Sequence, residues 1–377
     1  MDERAIIEQE GEGDLGRCDE LAVETDTEPF GMVFGLKGAP LPRDPMYPER
    51  PREELLQLLT IEIGSIVELL KDKRIFVIGA TGFIAKIFVE KVLRVQPKVK
   101  KLFLLVRAGD AKLAAKHMEN EVFAKELFDV LKEKHGLDFD SFISKTVYSV
   151  AGDIMYENLG IEDYNLREML WEEIDIVVNV AATTKFYERY DFSLNINTLG
   201  AKHVLEFAKQ CTKVKMLLHV SKGYVAGVKE GIISEKPFHF GEALNKDLYL
   251  YIEGELRLVK DRKKELHEQN STIEAKKIVM KELGIQRARM YGWPNTYVFT
   301  KAMGEMLLGH LRGDMPLVIM RPTIITIFFD DSNLECLRKA MVNNDEMKLF
   351  DFDPMHIEWD DYLINIHIPG VIKYLLK

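Results

Sequence analysis

Apolar residues along this chain fall into short runs separated by helix-length amphipathic stretches. "RIFVIGA" (74–80) is a continuous apolar run of strand length, and "FIAKIFVEKVLRV" (83–95) after it repeats its apolar positions at helical spacing. "KLFLLVR" (101–107) predicts a second strand, followed by helical text over 112–134. "TVYSVAG", "IDIVVNVAA", "VKMLLHVS" and "LVIMRPT" carry the same strand signature, most of them separated by segments long enough for a helix. Strands apolar on both faces that alternate with helices belong to a mostly parallel sheet covered on both sides. The predicted fold class is therefore α/β, a Rossmann-like doubly wound parallel sheet. Between Tyr249 and Arg289 the text turns highly charged, which predicts solvated helices laced with i,i+4 pairs, the alternative being a mobile flap over a ligand. There is no internal repeat.

Composition changes this picture mainly at the ends. Of 377 residues, 47% are hydrophobic, enough for a sizeable core, and the formal net charge is -10. Much of that charge sits in the opening stretch, where Glu8, Glu10, Glu12, Asp14, Asp19 and Glu20 face only Arg4 and Arg17; "GAPLPRDPMYPERP" then follows. Residues 1–53 are accordingly expected to be an acidic, Pro-rich disordered segment. A balanced remainder has no basic field to draw nucleic acid. Cys18, Cys211 and Cys336 stand far apart without metal-ligand spacing, as do His203, His356 and His367, so no metal site is expected and a reducing, intracellular compartment fits. No apolar run reaches the roughly 18 residues of a membrane span, since Arg321 and Pro322 break the greasiest stretch. The start resembles neither a signal nor a transit peptide. Membrane contact would be peripheral.

The first chemical motif is "IGATGFIAK", between the first strand and its helix. Gly79 permits the tight turn, Gly82 lets the backbone approach a pyrophosphate, and Ala85 supplies the small third residue for helix-to-strand packing. The second strand ends in Arg107 instead of the acid that would hold an NAD ribose, and a guanidinium suits a 2′-phosphate, so the expected cofactor is NADPH. "VAGDI" offers Asp153 to the adenine amino group. "GWPNTYVFTKAMGEML" puts Tyr297 and Lys301 four residues apart on one helix face, where an ammonium near a phenol favours the phenolate and equips it for acid-base work. His219, inside an apolar strand, reads as a satisfied core histidine, and Cys211 as a small buried hydrophobe.

Together with "VVNVAATTKFYERYDFSLNINTLGAKHVLEFAKQC", "LLHVSKGYVAG" and "FDFDPMHIEWDDYLINIHIPGVIKYLL", these motifs resemble the plant alcohol-forming fatty acyl-CoA reductases of the male-sterility type, which are extended short-chain dehydrogenases/reductases. The resemblance covers Ile63 to about Thr326 nearly continuously and returns at the C-terminus. It implies that Thr81 and Phe83 flank the cofactor phosphates lined by Gly79, Gly82 and Ala85, and that Arg107 and Asp153 hold the adenosine end. Ala181 and Ala182 would form the wall beneath the nicotinamide, Asn197 the family's helix-turning asparagine, and Tyr297 with Lys301 the catalytic pair that also touches cofactor. Arg321, Pro322 and Thr323 would follow the strand beside the nicotinamide. The implied reaction is NADPH-dependent reduction of a long-chain acyl-CoA to a fatty alcohol through a bound aldehyde, in the cytoplasm or at the endoplasmic reticulum surface in preference to the plastid; a homo-oligomer is left open.

Two departures from the family pattern qualify this. Where the family has a threonine that binds the substrate oxygen, this chain has Lys222, whose reach and repulsion of Lys301 are expected to disturb the geometry; Ser221 is a substitute donor on the opposite face of the strand. Lys185 likewise replaces an asparagine. After Thr323 the text runs directly into the family's end, as though an internal block were absent. The expected domains are thus 1–53, an NADP-binding reductase domain at 54–328, and a remnant C-terminal substrate region at 329–377 whose tail, "DYLINIHIPGVIKYLL", docks on the core. The alternative to an active enzyme is a catalytically impaired, truncated NADPH-binding paralogue with a non-enzymatic or regulatory role. Another extended-family reductase, acting on a sterol or sugar nucleotide, is the third reading.

Overall fold

The computed structural model describes residues 65–227, 233–322 and, in parts, 334–374. The expectation for residues 1–53 lies outside the described residues, as do Thr323, Cys18 and Cys336.

Each of the six apolar runs forms a strand: β1 Arg74–Ile78, β2 Lys101–Val106, β3 Val147–Ala151, β4 Ile176–Asn179, β5 Met216–Val220 and β6 Leu317–Met320. All pair in parallel, in the order β3-β2-β1-β4-β5-β6. The order reverses between β1 and β4, so the connections leave on opposite faces and a crevice opens at the carboxyl ends of these two strands.

Two-residue alternation sorts the strands' side chains onto the two faces. On one face Ile75, Val77, Leu102, Leu104 and Val178 pack against helix α1 (Phe83–Val95), through Ala85, Val89 and Leu93, and against α2 (Ala111–Met118). On the other, Phe76, Ile78, Phe103, Val177 and Leu217 meet α3 (Tyr164–Glu173) and α4 (Gly200–Gln210). Each fully buried Leu, Ile or Phe contributes about 1.5–3 kcal/mol, which explains why these runs are mostly apolar, with His219 inside β5 and Ser149 inside β3 as polar exceptions. Coverage on both faces holds for the central strands but not for β6, where Val318 and Met320 are 46% and 48% exposed.

The charged segment forms two helices, α5 (Ile252–Glu268) and α6 (Ile273–Met290), as the i,i+4 reading expected. Their inner faces join Tyr190, Trp293 and Phe299 in a third cluster. Glu255 on α5 is buried there and accepts hydrogen bonds from the Tyr190 and Tyr291 hydroxyls and from Arg287 Nε. The C-terminal tail departs from expectation: Ile364, Ile366, Ile368 and Ile372 are each at least half exposed, so its apolar side chains are not packed into the core.

Helix α7 (Thr296–Leu311) is the pivot of the fold. Asn295 caps it, accepting from the Val298 N–H at 3.0 Å, and every residue from Thr296 to Leu308 is buried. A helix buried on all sides needs neighbours on all sides. One is the continuous helical stretch Tyr190–Ser193, a π turn at Leu194–Leu199, and α4. The two approach so closely that a Cβ on Gly304 would sit 2.3 Å from the Asn197 carbonyl oxygen. Gly304→Ala is expected to cost about 1–3 kcal/mol of unfolding free energy, seen as a lower denaturation midpoint at unchanged slope. An unchanged midpoint would mean that these helices part freely.

Candidate active site

Parallel pairing in register brings the predicted residues to one edge of the sheet, because every strand presents its carboxyl end on the same side. Reading across, Asp153 follows β3, Arg107 follows β2, Gly79 follows β1, Ala181 follows β4, Ser221 and Lys222 follow β5, and Arg321 and Pro322 follow β6. Adjacent strands lie about 4.8 Å apart, so the line from β3 to β5 is on the order of 20 Å long.

At the switch point, Gly79 has φ +86°, and a Cβ there would lie 2.7 Å from the backbone N and Cα of Ala181. Only glycine fits both the left-handed conformation and the approach of the two strand ends. The Gly82 N–H donates to the Gly79 carbonyl at 2.9 Å, and Gly82 caps α1 without a side chain, leaving the first amides of that helix open to an anion. Thr81 is half-buried, Phe83 is 78% exposed, and Ala85 is buried against the first core cluster. Arg107 is exposed just beyond β2. Burial raises the Asp153 carboxyl above its usual range, against the pull of the Met155 N–H (2.9 Å) and of the Arg107 charge. The structure thus brings Arg107 and Asp153 within electrostatic reach of each other.

Asn197 lies in the π turn, and its amide ties three elements together. Oδ1 accepts from the Thr183 N–H (3.0 Å), and Nδ2 donates to the Thr183 carbonyl (3.2 Å) and the Thr300 hydroxyl (3.0 Å). Ala181 and Ala182, half-buried, begin the loop that this amide holds.

Tyr297, Lys301 and Glu305 succeed one another at four-residue steps on α7 and are all buried. Lys301 Nζ donates to the Val220 carbonyl at 2.8 Å and lies 3.2 Å from His219 Nε2. Burial pulls its pKa from 10.5 to about 8, with Glu305 opposing. Glu305 in turn holds Arg321 through Nε at 3.1 Å and through Nη2 at 2.6 Å, closing α7 onto the end of β6. The expected ease of forming the Tyr297 phenolate is not met: burial is the cause acting on that phenol and it raises the pKa.

Lys222 lies among aromatic rings. Its ammonium stands 5.3 Å from the ring centroid of Tyr224, 5.7 Å from Tyr297 and 5.9 Å from Phe186, an enclosure in which three ring faces attract the charge. Ser221 is buried, and its hydroxyl finds no partner among the described residues. Lys185 is a surface residue 3.8 Å from Glu188. Pro322 accepts from the Gly223 N–H at 2.9 Å; Thr323 is not described. The open cleft of about 470 Å³ lined by Arg74, Lys101 and Tyr148 belongs to the amino-terminal edge and holds none of these groups. Among the described residues no cluster of metal-ligating side chains occurs.

The sequence reading missed Asn179, Glu305 and Phe186, while His219, read as a satisfied core histidine, is buried with a partner at each ring nitrogen. Only Glu305 had left a signal, its four-residue step beyond Lys301.

The glycine cradle, the open helix amides and the unpartnered Ser221 hydroxyl suit a nicotinamide dinucleotide laid along this edge. An NAD-binding family model described as male sterility protein matches residues 77–348, and a second model of the same description matches residues 323–377. Over 270 residues the chain is 57% identical to an alcohol-forming fatty acyl-CoA reductase of Simmondsia chinensis, covering 72% of this chain and 55% of that protein. It is also 57% identical over 262 residues to probable fatty acyl-CoA reductase 5 of Arabidopsis thaliana, covering 69% and 53%. The chain therefore spans about half the length of these curated relatives. Among solved structures, the reductase domain of a non-ribosomal peptide synthetase from Mycobacterium tuberculosis aligns with TM-score 0.45 and 21% identity over 72% of this chain and 52% of that one.

Removing the charge of Glu305 strands Arg321, whose side chain is 16% exposed. Glu305→Gln is expected to lower stability by about 2–4 kcal/mol, short of the full cost for a wholly buried pair. Chemical denaturation of the two proteins side by side measures it.

Proposed function

The chain belongs to the male sterility protein family and carries its NAD-binding domain, and we propose that it uses NADPH to reduce a long-chain fatty acyl-CoA to a fatty alcohol through a bound aldehyde. The observation that carries this reading is the buried Tyr297 and Lys301 on one face of α7, set beside the end of β5 and across the sheet edge from the Gly79 cradle.

In this reading Gly79, Thr81, Gly82, Phe83 and Ala85 take the pyrophosphate. Arg107 binds the 2′-phosphate, Asp153 the adenine, and Ala181, Ala182, Asn197 and Pro322 frame the nicotinamide end. The reduced nicotinamide supplies hydride to the acyl carbon. Negative charge then grows on the carbonyl oxygen, and Tyr297, kept protonated near neutrality by its raised pKa, donates to it. Lys222 sits against the Tyr297 ring, and its ammonium supplies the fixed positive charge that a threonine hydroxyl would not. Breaking the carbon–sulfur bond releases coenzyme A thiol and leaves the aldehyde; a second round at the same groups gives the alcohol. Long acyl chains partition to lipid surfaces, so the proposed setting is the cytoplasm or the periphery of the endoplasmic reticulum. Among the described residues no helix is long and apolar enough to cross a membrane.

Purified protein given NADPH and a long-chain acyl-CoA is expected to form fatty alcohol. NADPH binding with neither aldehyde nor alcohol would refute the assignment. Tyr297→Phe should lose about 10²–10⁴-fold in rate while keeping NADPH affinity. Arg107→Asp should shrink the preference for NADPH over NADH by about 10–100-fold, the value of one charge-assisted hydrogen bond, as read by fluorescence titration.

A further inference from the structure

A neutral imidazole has one donating and one accepting nitrogen. His219 is 1% exposed, and each of its nitrogens meets a nitrogen. On one side Asn179, itself buried at the end of β4, accepts the Ala181 N–H on Oδ1 at 3.1 Å. A backbone N–H needs an oxygen, so the amide's orientation is fixed and Nδ2 faces His219 Nδ1 at 3.0 Å. Nδ1 must accept, which leaves the ring hydrogen on Nε2, pointing at Lys301 Nζ 3.2 Å away. An ammonium has three hydrogens and no lone pair. A neutral amine has a lone pair for Nε2–H and still donates to the Val220 carbonyl at 2.8 Å.

We propose that Asn179 and His219 are positioning residues whose fixed donor pattern destabilises the ammonium on Lys301, so that this side chain readily gives up and takes back a proton during the reaction. The catalytic consequence rests on the proposed reductase reading; the protonation state of Lys301 does not.

The charged neighbours do not reverse this assignment. Glu305, on the same helix, favours the ammonium, but its charge is engaged by Arg321 from beyond β6. Lys222, past the end of β5, is held by its three rings. The π turn and the loop after β4 meet through the Asn197 amide and the Thr183 backbone, and the loop's Lys185 is paired with Glu188 at the surface. Burial works in the same direction as the hydrogen-bond pattern, lowering Lys301 to about 8 and His219 well below 6.5. A group whose proton comes and goes near neutrality is suited to restore the Tyr297 proton between turnovers.

The test reverses the pattern. In Asn179→Asp one carboxylate oxygen still accepts the Ala181 N–H, and the other accepts from Nδ1–H. The ring hydrogen moves, Nε2 becomes the acceptor, and the ammonium is satisfied. His219→Gln offers Lys301 an amide oxygen without adding charge. Lysine-selective NMR titration of the full chain should give a Lys301 midpoint near 8 in the wild type, raised in both variants by at least about one unit, a tenfold change in the amine-to-ammonium ratio at fixed pH. An ordinary wild-type midpoint, a rise in neither variant, or a rise only in Asn179→Asp, where added charge alone explains it, overturns the proposal. If Asn179→Asp does not fold, His219→Gln decides alone. The alkaline limb of the rate–pH profile should move upward with the midpoint, since raising the folded pKa keeps the ammonium to higher pH. Absent turnover in the wild type would count against the reductase reading while the titration still decides this one.

Discussion

The structure depends on one constraint: α7 has no face to water along most of its length, yet it carries a phenol, an amine and a carboxyl group. Buried charge is tolerated only where partners are supplied. Each neighbour of α7 supplies one. The end of β5 offers the Val220 carbonyl and His219 to Lys301, the end of β6 offers Arg321 to Glu305, and the π turn ties Asn197 to Thr300. The Glu305–Arg321 pair therefore holds the last strand against the helix that carries Tyr297 and Lys301.

What was legible in the sequence is what chain-local physics controls. Apolar runs such as "IFVI" and "LFLLV" must be strands covered on both faces, and "IGATGFIAK" between a strand and a helix permits few backbone paths. The Tyr297 and Lys301 spacing survives because a helix fixes it. What the sequence could not show is which side chains meet after the sheet closes. His219 and Lys301 are 82 positions apart, and alone in an apolar strand a histidine looks like filler. The same limit applies to charge. Lys301 turns to the β5 backbone, burial raises the Tyr297 phenol, and Lys222 meets Phe186, Tyr224 and Tyr297, contacts that no local pattern announces.

The whole constellation from Gly79 to Pro322 lies inside residues 77–348, which the NAD-binding family model matches, although the chain covers only about half the length of its plant relatives. The residues proposed for cofactor and proton handling lie along one edge of the sheet.

The π turn at Leu194–Leu199 has a geometric effect along its own axis. Widening one turn by a residue rotates everything after it by about 100° relative to a regular α-helix. The apolar stripe of α4 is therefore out of phase with that of Tyr190–Ser193, and a single helical wheel drawn through 190–210 smears two well-defined faces into none. Losing one residue here would re-phase the wheel and swing the Asn197 amide away from both threonines at once. The irregularity, not the regular helix on either side, is what keeps the loop after β4 anchored to α7.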